Sequence, residues 1–460
     1  MASTLKPATI LDRCRVAPPA DGGAATEQSL PLTFFDIGWL HFHPIQRVLF
    51  YQFPCSKTHF LKTIVPNFKI SLSQTLKHFL PLAGNLIFPP NSKIPEFQYI
   101  PGDSVSVTIA ESSNEDSDFN YLTSNQPRVA DEFYAFVPDL PEPVIESESG
   151  LKRVPLFAVQ ITLFPDTGIS IGFINHHAIG DASSIVRFIK TWSSIAKLGV
   201  EIDELLLPFY DRSVIRDPSG IVYIHWNQMK NFKLESSPLN FPTNKVRATY
   251  ILRKEDIQHL KNIVRDRKPD LIHLSSFTTT IAYVWSCLAK STYETGERVQ
   301  DDDADIFAFA VDARGRMTQP VPEGYFGNCL AFAYAYSTFG ELRGDDGFWA
   351  AAEVIGDVII EKVNNKEELF KDVENWLNIF GSLVGKRSFG VAGSPKFDMY
   401  DADFGWGKPK KHESVSIDGD GSMSLCKSRE YEGGLEIGLS LPKMKMDAFA
   451  DIFSTGLLKM

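Results

Sequence analysis

The chain has 460 residues, of which 43% are hydrophobic and 22% are charged, and its formal net charge is −11. This length predicts two or three domains, and this composition excludes an intrinsically disordered chain. The acidic balance argues against a general affinity for nucleic acid or for an anionic membrane, so a polyanionic ligand would need a local basic pocket.

The cysteines and the apolar runs indicate the cellular compartment. The five cysteines are scattered, odd in number and without C-x-x-C spacing, which predicts reduced thiols and suggests neither a disulfide framework nor a metal site. No apolar run approaches the length of about 18 residues that a membrane-spanning helix needs. Residues 1–23 lack the apolar stretch of a signal peptide. We therefore expect a cytoplasmic protein that does not span a membrane.

The first part of the chain mixes extended and helical patterns. We expect extended segments and one proline-interrupted helix, in this order: strands at 10–16, 32–40 and 47–53, and a helix at 56–79 that breaks at Pro66. The sequence PGD at 101–103 indicates a hairpin over 99–111. A second hairpin is predicted over 155–174, because PDTG at 165–168 joins two alternating runs.

The second part of the chain begins after a segment in which periodicity fades. We interpret residues 199–242 as a crossover between an N-terminal domain at 1–198 and a C-terminal domain at 243–460. Beyond the crossover we expect strands at 246–252, 306–311 and 435–441, an extended segment at 325–336, and helices at 254–267, 276–290, 347–362 and 443–453. This mixture favours an α/β fold with mixed sheets over a doubly wound fold.

The second hairpin ends in a motif whose residues could take part in catalysis, NHHAIGD at 175–181. His177 comes where a strand stops and a loop begins, so its imidazole can reach a cleft and act as a base near neutral pH. Asp181 precedes an amphipathic helix over 182–197, and an acid there suits the helix dipole. A histidine before a turn is nevertheless more often structural, and an acid at a helix start is common. H-x-x-x-D alone therefore does not establish catalysis.

Two other motifs compete with it. The sequence GISIG at 168–172 matches the G-x-S-x-G pattern of serine hydrolases, with Ser170 as the nucleophile, but Ser170 lies inside an alternating strand without the required strand-to-helix elbow. The sequence DGDGS at 418–422 resembles the start of a calcium loop but lacks its later glycine and glutamate, and we interpret it as a hairpin turn. A serine hydrolase stays an alternative.

Three further stretches accompany H-x-x-x-D: DARGR at 312–316, YFGNC at 325–329 and DFGWG at 403–407. Each alone is weak, but the four together, in this order and at these separations, are specific. The sequence resembles the plant BAHD acyltransferases over essentially its whole length. Residues 325–329 resemble the subgroup that acylates anthocyanin and other flavonoid glycosides.

The resemblance implies two similar-sized domains, each like a CoA-dependent acyltransferase unit of the chloramphenicol acetyltransferase type, with a channel between them. It places His177 in the channel, where the imidazole removes the acceptor hydroxyl's proton, the oxygen attacks the thioester and CoA thiolate leaves. It pairs Asp181 with Arg314 as structural support. We accordingly expect a monomer with no permanently bound cofactor, which uses acyl-CoA as co-substrate and a flavonoid or other phenolic glycoside as acceptor.

The DFGWG motif and the CoA contacts are less settled. Asp403 is sometimes given a catalytic label in the family, and the Trp406 indole could donate to the oxyanion, but we favour a role in the channel wall. For CoA, Ser275 and Ser276 open a helix whose N-terminus can hold phosphate. A basic cluster offers a second phosphate site or is simply a solvated turn: Lys408, Lys410 and Lys411.

The sequence does not decide whether the acyl donor is malonyl-CoA or hydroxycinnamoyl-CoA. Some members of the subgroup use the first and others use the second. A malonyl carboxylate in a desolvated channel needs a cation or several hydrogen-bond donors. At helical spacing from Asp181, the face formed by Ser184, Ile185 and Phe188 carries no cation, although another segment could supply one through Arg47. We predict that this face sets the donor preference. A catalytically idle binding paralogue is the remaining alternative, and the retained motifs argue against it.

Overall fold

The computed structural model describes residues 8–20, 27–112, 116–199, 207–231 and 242–459. In these ranges the strands are β1 (Thr9–Val16), β2 (Gln28–Pro31), β3 (Ile45–Tyr51), β4 (Asn85–Phe88), β5 (Glu96–Tyr99), β6 (Val105–Glu111), β7 (Arg128–Val129), β8 (Val144–Ile145), β9 (Lys152–Pro155), β10 (Phe157–Phe164), β11 (Gly168–Asn175), β12 (Lys245–Leu252), β13 (Ala304–Asp312), β14 (Leu330–Thr338), β15 (Ser388–Ala392), β16 (Lys411–Ser414), β17 (Ser422–Lys427) and β18 (Leu435–Pro442). The α-helices are α1 (Phe34–Ile37), α2 (Lys57–His59), α3 (Val65–Leu76), α4 (Leu80–Ala83), α5 (Asp116–Leu122), α6 (Ala182–Leu198), α7 (Ile221–Met229), α8 (Lys254–Arg267), α9 (Ser276–Glu294), α10 (Phe339–Arg343), α11 (Gly347–Val358), α12 (Lys366–Leu369), α13 (Trp376–Leu383), α14 (Ile417–Asp420) and α15 (Lys443–Lys459).

Within the described ranges, six strands form a first sheet in the order β1-β6-β10-β11-β3-β16. At its centre β10 and β11 pair antiparallel along their whole length, as the second predicted hairpin requires. Gly172 is needed in β11, because a Cβ atom there would lie 1.8 Å from the carbonyl oxygen of Phe136. The helix α6 packs on this sheet and buries Ile185, Phe188 and Trp192, the apolar stripe that its sequence predicts.

Seven described strands form a second sheet in the order β14-β13-β15-β17-β18-β12-β7, and five form a small sheet in the order β2-β5-β4-β9-β8. The second sheet has its own core, in which Tyr283 of α9 contacts Phe453 of α15 at a ring-centroid distance of 5.1 Å. Both large sheets contain parallel as well as antiparallel pairs. The predicted α/β class with mixed sheets is thus confirmed.

Each large sheet takes one strand from the other half of the chain. β16 pairs with β3 in the first sheet, and β7 pairs with β12 in the second. Buried ion pairs fix both strands, since Arg128 Nη1 lies 2.7 Å from Glu413 Oε1 and Arg247 Nη1 lies 2.8 Å from Asp418 Oδ1. Burial alone would raise the pKa of Glu413, but the surrounding cations lower it to about 2. The domain limits at 198 and 243 stay a prediction.

Two predicted hairpins are wrong. At 99–111, β5 belongs to the small sheet and β6 to the first sheet. At 418–422, α14 connects β16 in the first sheet to β17 in the second. A turn that carries the chain from one sheet to another needs the same residue types as a hairpin turn, so local sequence does not separate the two.

Three helical features also differ from the prediction. The segment 32–40, expected to be extended, contains α1, which starts at a capping box formed by Thr33 and Asp36. Pro66 does not break the helix, because a π-helical turn at Phe60–Ile64 leads into α3 and places the proline in the first turn of α3, where no N–H is required. The predicted crossover lies partly outside the described residues, and its described part contains α7.

The remaining helices confirm the periodicity, and α8 coincides with the predicted helix at 254–267. In the described part of the chain, no helix combines the length and the apolarity that crossing a bilayer requires. All five cysteines lie in that part, and each carries a free thiol.

Candidate active site

The hairpin β10–β11 delivers His177 to the edge of the first sheet. β11 ends at Asn175, and a 3₁₀ turn over His177–Ile179 follows. Asp181 then caps α6, because its Oδ1 accepts a hydrogen bond from the backbone N–H of Ser184 at 3.2 Å. The change from strand to turn to helix within seven residues places the imidazole between the end of β11 and the start of α6.

Aromatic rings and burial keep His177 neutral. The imidazole stacks on Trp39 with ring centroids 3.8 Å apart, and Phe42 approaches it edge-on at 5.3 Å. Burial lowers the pKa of His177 to about 3, helped by the positive charge of Arg47, while an interaction with its own backbone only partly offsets the effect. Nδ1 is buried, so Nε2 is the nitrogen available to a substrate. A neutral imidazole at physiological pH can accept a proton.

The preceding histidine has a different task. His176 is only 8% exposed, and its Nδ1 accepts a hydrogen bond from the backbone N–H of Ala178 at 3.2 Å. Burial lowers the pKa of His176 to about 4. It therefore supports the turn that carries His177.

We expect the rate of acyl transfer to stay nearly constant from about pH 8 to about pH 6, because the base is active when neutral and its folded pKa lies far below this range. The measurement is kcat/KM for the acceptor against pH. A loss of rate centred on the ordinary histidine pKa would contradict this expectation.

The stability of the fold should decrease below about pH 6.5. The unfolded chain takes up protons there, whereas buried His177 and His412 take them up only near pH 3. Melting curves at each pH separate the two effects.

Asp181 is held by Arg314 in a bidentate ion pair. Arg314 Nη1 lies 2.9 Å from Oδ2 and Nη2 lies 3.1 Å from Oδ1. Oδ2 also accepts the backbone N–H of Cys329 at 3.1 Å. Burial lowers the pKa of Arg314, but the Asp181 carboxylate outweighs this and raises it. With both oxygens occupied, Asp181 is arranged to hold the loop rather than to relay a proton.

The YFGNC stretch fastens the same loop from the other side. The Asn328 amide donates to the backbone carbonyls of His177 at 3.1 Å and Ala178 at 2.9 Å, and to Asp36 Oδ1 at 3.2 Å. Asp36 in turn accepts a hydrogen bond from Arg212 Nη1 at 3.2 Å. Asp36 and Arg212 carry no sequence signal of a site residue, because the first lies in a segment expected to be extended and the second in the aperiodic crossover.

An aromatic cavity of about 440 Å³ lies on one side of His177, and the two rings that touch the imidazole belong to its wall. Its lining is Phe34, Phe35, Gly38, Trp39, Phe42, His225, Leu330, Phe332, Trp376, Leu377 and Phe380. This wall suits a flat aromatic ligand, since offset and edge-to-face ring contacts are available on several sides. Sequence reasoning missed this cavity, although the density of aromatic residues around Trp39 is a signal in retrospect.

A second cavity of about 510 Å³, open to solvent, lies between the two large sheets, and we call it the intersheet cleft. Its lining is Arg47, Ala182, Val186, Thr249, Ala392, Gly393, Ser394, Phe397, Met399, His412, Glu413, Ser414, Ser424, Leu425, Cys426, Glu436 and Gly438.

The prediction that Ser184, Ile185 and Phe188 of α6 select the donor is wrong. These side chains are at most 1% exposed and face the packed interior. The helix meets the cleft through Ala182 and Val186 instead.

The DFGWG motif lies at the other end of α6. Asp403 Oδ2 lies 2.7 Å from Lys197 Nζ, and its Oδ1 accepts the backbone N–H groups of Gly405 and Gly407. Trp406 packs edge-on against Tyr51 at 5.4 Å. The rise of a helix puts Lys197 about 22 Å from the first residue of α6. The predicted catalytic roles of Asp403 and Trp406 are therefore not supported by their position, which fits a structural contact.

The predicted CoA contacts separate into two groups. Ser275 caps α9 by accepting the Thr278 N–H at 3.1 Å, and the exposed Ser276 hydroxyl accepts a hydrogen bond from Lys261 Nζ at 3.0 Å. Lys261, which sequence reasoning missed, adds a cation to this helix N-terminus.

The predicted basic cluster is dispersed. Lys408 forms an exposed ion pair with Asp401 at 2.9 Å, and Lys410 bonds the Asn120 side chain. Lys411 is only 3% exposed and its ammonium bonds Asn125 and Thr249, so it cannot meet a phosphate in solvent. Strand alternation in β16 turns it inward. A phosphate role for Lys408 and Lys410 stays a prediction.

The serine hydrolase alternative fails on position. Ser170 is fully buried in β11, between Phe50 of β3 and Thr162 of β10. A nucleophilic serine needs an exposed hydroxyl on a sharp turn, which an inner strand does not offer.

Comparison with known proteins supports the class that the fold and site define, a CoA-dependent acyltransferase. The model of the Transferase family matches residues 9–455. The chain therefore belongs to this family, the BAHD acyltransferases that its motifs resemble. The prediction of an acyltransferase is thereby confirmed.

Named relatives cover nearly the whole chain. A malonyl-coenzyme:anthocyanin 5-O-glucoside-6'''-O-malonyltransferase of Salvia splendens is 48% identical, over 98% of this chain and 96% of that protein. Phenolic glucoside malonyltransferase 1 of Nicotiana tabacum is 46% identical, over 98% and 99%. Among solved structures, vinorine synthase matches with a TM-score of 0.69 and 21% identity over 96% of both chains, which shows the fold.

Proposed function

We propose that this protein transfers a malonyl group from malonyl-CoA to a sugar hydroxyl of an anthocyanin or other phenolic glucoside, with His177 as the general base. The relatives named above are malonyltransferases for such acceptors. The observation that carries the proposal is the placement of a neutral imidazole, stacked on the wall of the aromatic cavity and influenced by a cation that lines the intersheet cleft. Each substrate thus has a side from which to approach His177.

The reaction follows from this placement in two steps. Nε2 of His177 takes the proton of the sugar hydroxyl while the oxygen attacks the thioester carbonyl carbon, which forms a tetrahedral intermediate. The intermediate collapses, the carbon–sulfur bond breaks, and the thiolate of CoA receives the proton from the imidazolium. No acyl-enzyme forms, and His177 ends neutral. The ordering by Asp181, Arg314 and Asn328 keeps the imidazole at one place throughout.

The aromatic cavity would hold the phenolic rings of the acceptor. Phe332 is central to it, with ring-centroid distances of 5.5 Å to Trp39, 6.3 Å to Trp376 and 6.3 Å to Phe380. Rings arranged at mixed angles favour a flat, conjugated aglycone over an aliphatic alcohol. The sugar would then lie toward His177.

The Lys261–Ser276 contact supports a place for a CoA phosphate, because it joins a cation and a hydroxyl to the N-terminus of α9. We also propose that the protein acts as a monomer. Five free thiols support a reducing compartment such as the cytosol.

A matrix of acyl-CoA donors and glucoside acceptors tests the function. Malonyl-, acetyl- and coumaroyl-CoA are combined with anthocyanidin, flavonol and simple phenolic glucosides, and the products are identified by mass spectrometry. We expect thiol release in proportion to acceptor and a product heavier by one malonyl group. Release without acceptor would indicate a hydrolase, and binding without release would indicate the idle paralogue.

We expect Phe332→Ala to raise the acceptor KM by roughly tenfold and to leave the KM for malonyl-CoA nearly unchanged, since one ring contact of the aglycone is lost. Phe332→Leu keeps an apolar side chain without the ring, and its acceptor KM should lie between that of the parent protein and that of Phe332→Ala. An equal rise in both KM values would show that the aromatic cavity does not hold the acceptor alone.

A further inference from the structure

Arg47 occupies an unusual place for an arginine. It lies in β3 between Phe173 of β11 and Ser414 of β16, close to the strand end that leads to His177. Its side chain lines the intersheet cleft together with Ala182 of α6. A guanidinium is thus presented to the cavity on the first-sheet side.

Within the part of the chain that the structure describes, Arg47 also lacks a counter-ion. Among the described residues, the four arginines that are almost fully buried each meet a carboxylate, and the pairs are Arg128–Glu413, Arg212–Asp36, Arg247–Asp418 and Arg314–Asp181. Among the described residues, the Arg47 guanidinium has neither an ion pair nor a hydrogen bond. Burial lowers its pKa to about 10, which leaves it charged at neutral pH. Arg47 is partly buried, and an uncompensated cation in a partly desolvated cleft costs free energy. Such costs concentrate where a ligand supplies the missing charge.

The carboxylates of the cleft are already engaged. Glu413 pairs with Arg128, and Glu436 accepts the Tyr400 hydroxyl at 2.7 Å and the Arg429 N–H at 2.9 Å. On β16, Ser414 pairs with Arg47, and His412 pairs with Leu49 two residues further along β3. Neither Ser414 nor His412 carries a negative charge, and burial lowers the pKa of His412 to about 3. The described residues therefore leave no carboxylate for Arg47, and a bound ligand is the source of an anion that we consider for it.

We infer that Arg47 binds the free carboxylate of a dicarboxylic acyl donor, so that it selects malonyl-CoA over neutral acyl-CoA; this rests on the proposed function. In malonyl-CoA the carboxylate lies two bonds beyond the thioester carbonyl, which has to meet the acceptor oxygen at His177. A planar guanidinium can hold a carboxylate with two parallel hydrogen bonds. A neutral aromatic acyl group would leave the cation unpaired in the same cleft.

Donor selectivity of Arg47→Gln tests the inference. We expect kcat/KM for malonyl-CoA to fall by roughly 10- to 100-fold, the worth of one charge-assisted contact, while kcat/KM for acetyl-CoA changes by less than about threefold. Acetoacetyl-CoA, a neutral donor of nearly the same shape, should behave like acetyl-CoA. Arg47→Lys should lose less, because it keeps the charge without the fork.

Two controls keep the result interpretable. Arg216→Gln removes a positive charge from an exposed arginine outside the cleft lining, and its donor ratio should stay that of the parent protein. The Tm of Arg47→Gln should be unchanged or higher, since no native ion pair is broken. A lower Tm with loss of all donors alike would identify a structural arginine and overturn the inference.

Binding without turnover provides an independent test. In a His177→Ala background, the Kd of malonyl-CoA and of acetyl-CoA is measured by calorimetry with and without Arg47→Gln. We expect Arg47→Gln to raise the Kd of malonyl-CoA by roughly tenfold or more and to leave the Kd of acetyl-CoA unchanged. An unchanged Kd ratio would overturn the inference even in an active enzyme. A parent protein that transfers no acyl group would refute the proposed function, and the Kd ratio would still decide on Arg47.

Discussion

Replacing His177 with alanine will lower kcat by roughly 10²–10⁴-fold and leave the fold intact, because the variant loses the general base but no ion pair or capping bond. The imidazole is neutral, stacked on Trp39 and presents Nε2 to the substrates. The measurement is single-turnover transfer from the proposed donor, together with a melting curve. The pH profile of the residual activity should lose any dependence on His177.

His176 is the matched control for this experiment. His176→Ala removes a buried ring and the hydrogen bond to the Ala178 N–H, so we expect a lower Tm but far more remaining activity than in His177→Ala. His176→Asn can restore an acceptor for that N–H and should recover part of the stability. Equal loss of rate in both folded alanine variants would contradict the assignment of the base.

Asp181→Ala will destabilise the protein by about 3–5 kcal/mol, because it leaves a buried guanidinium without its partner. Arg314 loses both hydrogen bonds of the bidentate pair, the Cys329 N–H loses its acceptor and α6 loses its cap. The rate will fall as well, since the turn that carries His177 is no longer held. Chemical denaturation gives the free energy of unfolding, and kcat is measured well below the new Tm.

Conservative and double variants separate positioning from proton relay. Asp181→Asn keeps a hydrogen-bond acceptor and should cost less stability than alanine. Asp181→Ala combined with Arg314→Met removes both charges and should be more stable than the sum of the single effects predicts. A normal Tm with a shifted pH profile in Asp181→Asn would instead show that Asp181 exchanges protons.

The sequence predicted those parts of the site that depend on neighbouring residues. His177 and Asp181 follow from a period of two that ends and a period of 3.6 that begins, and both patterns are local. Ser275 was recognisable as a helix start for the same reason. These features need no knowledge of how distant segments meet.

Other parts depend on which segments pack together. A helical wheel drawn from Asp181 selects Ser184 and Phe188, but the apolar side of an amphipathic helix goes to the core, and only the docking of the sheets shows that Val186 reaches the cleft. Arg47 is equally undetermined, since its neighbours come from β11 and from β16 far along the chain. Trp406 shows the same limit, because a motif does not say which end of α6 it meets.

The pairing of β7 and β16 with strands from the other half of the chain has a consequence for the synthesis of this protein. During synthesis β3 leaves the ribosome long before β16, so the edge of β3 stays unpaired until residue 414 has been made. Arg128 likewise has no ion-pair partner until Glu413 has been made. Open strand edges are sites of aggregation, which makes chaperones or slow folding relevant to expression. For the same reason, a fragment that ends at the connection between the halves would carry an unpaired edge and an orphaned charge. Two separately expressed halves should regain activity only when they are refolded together.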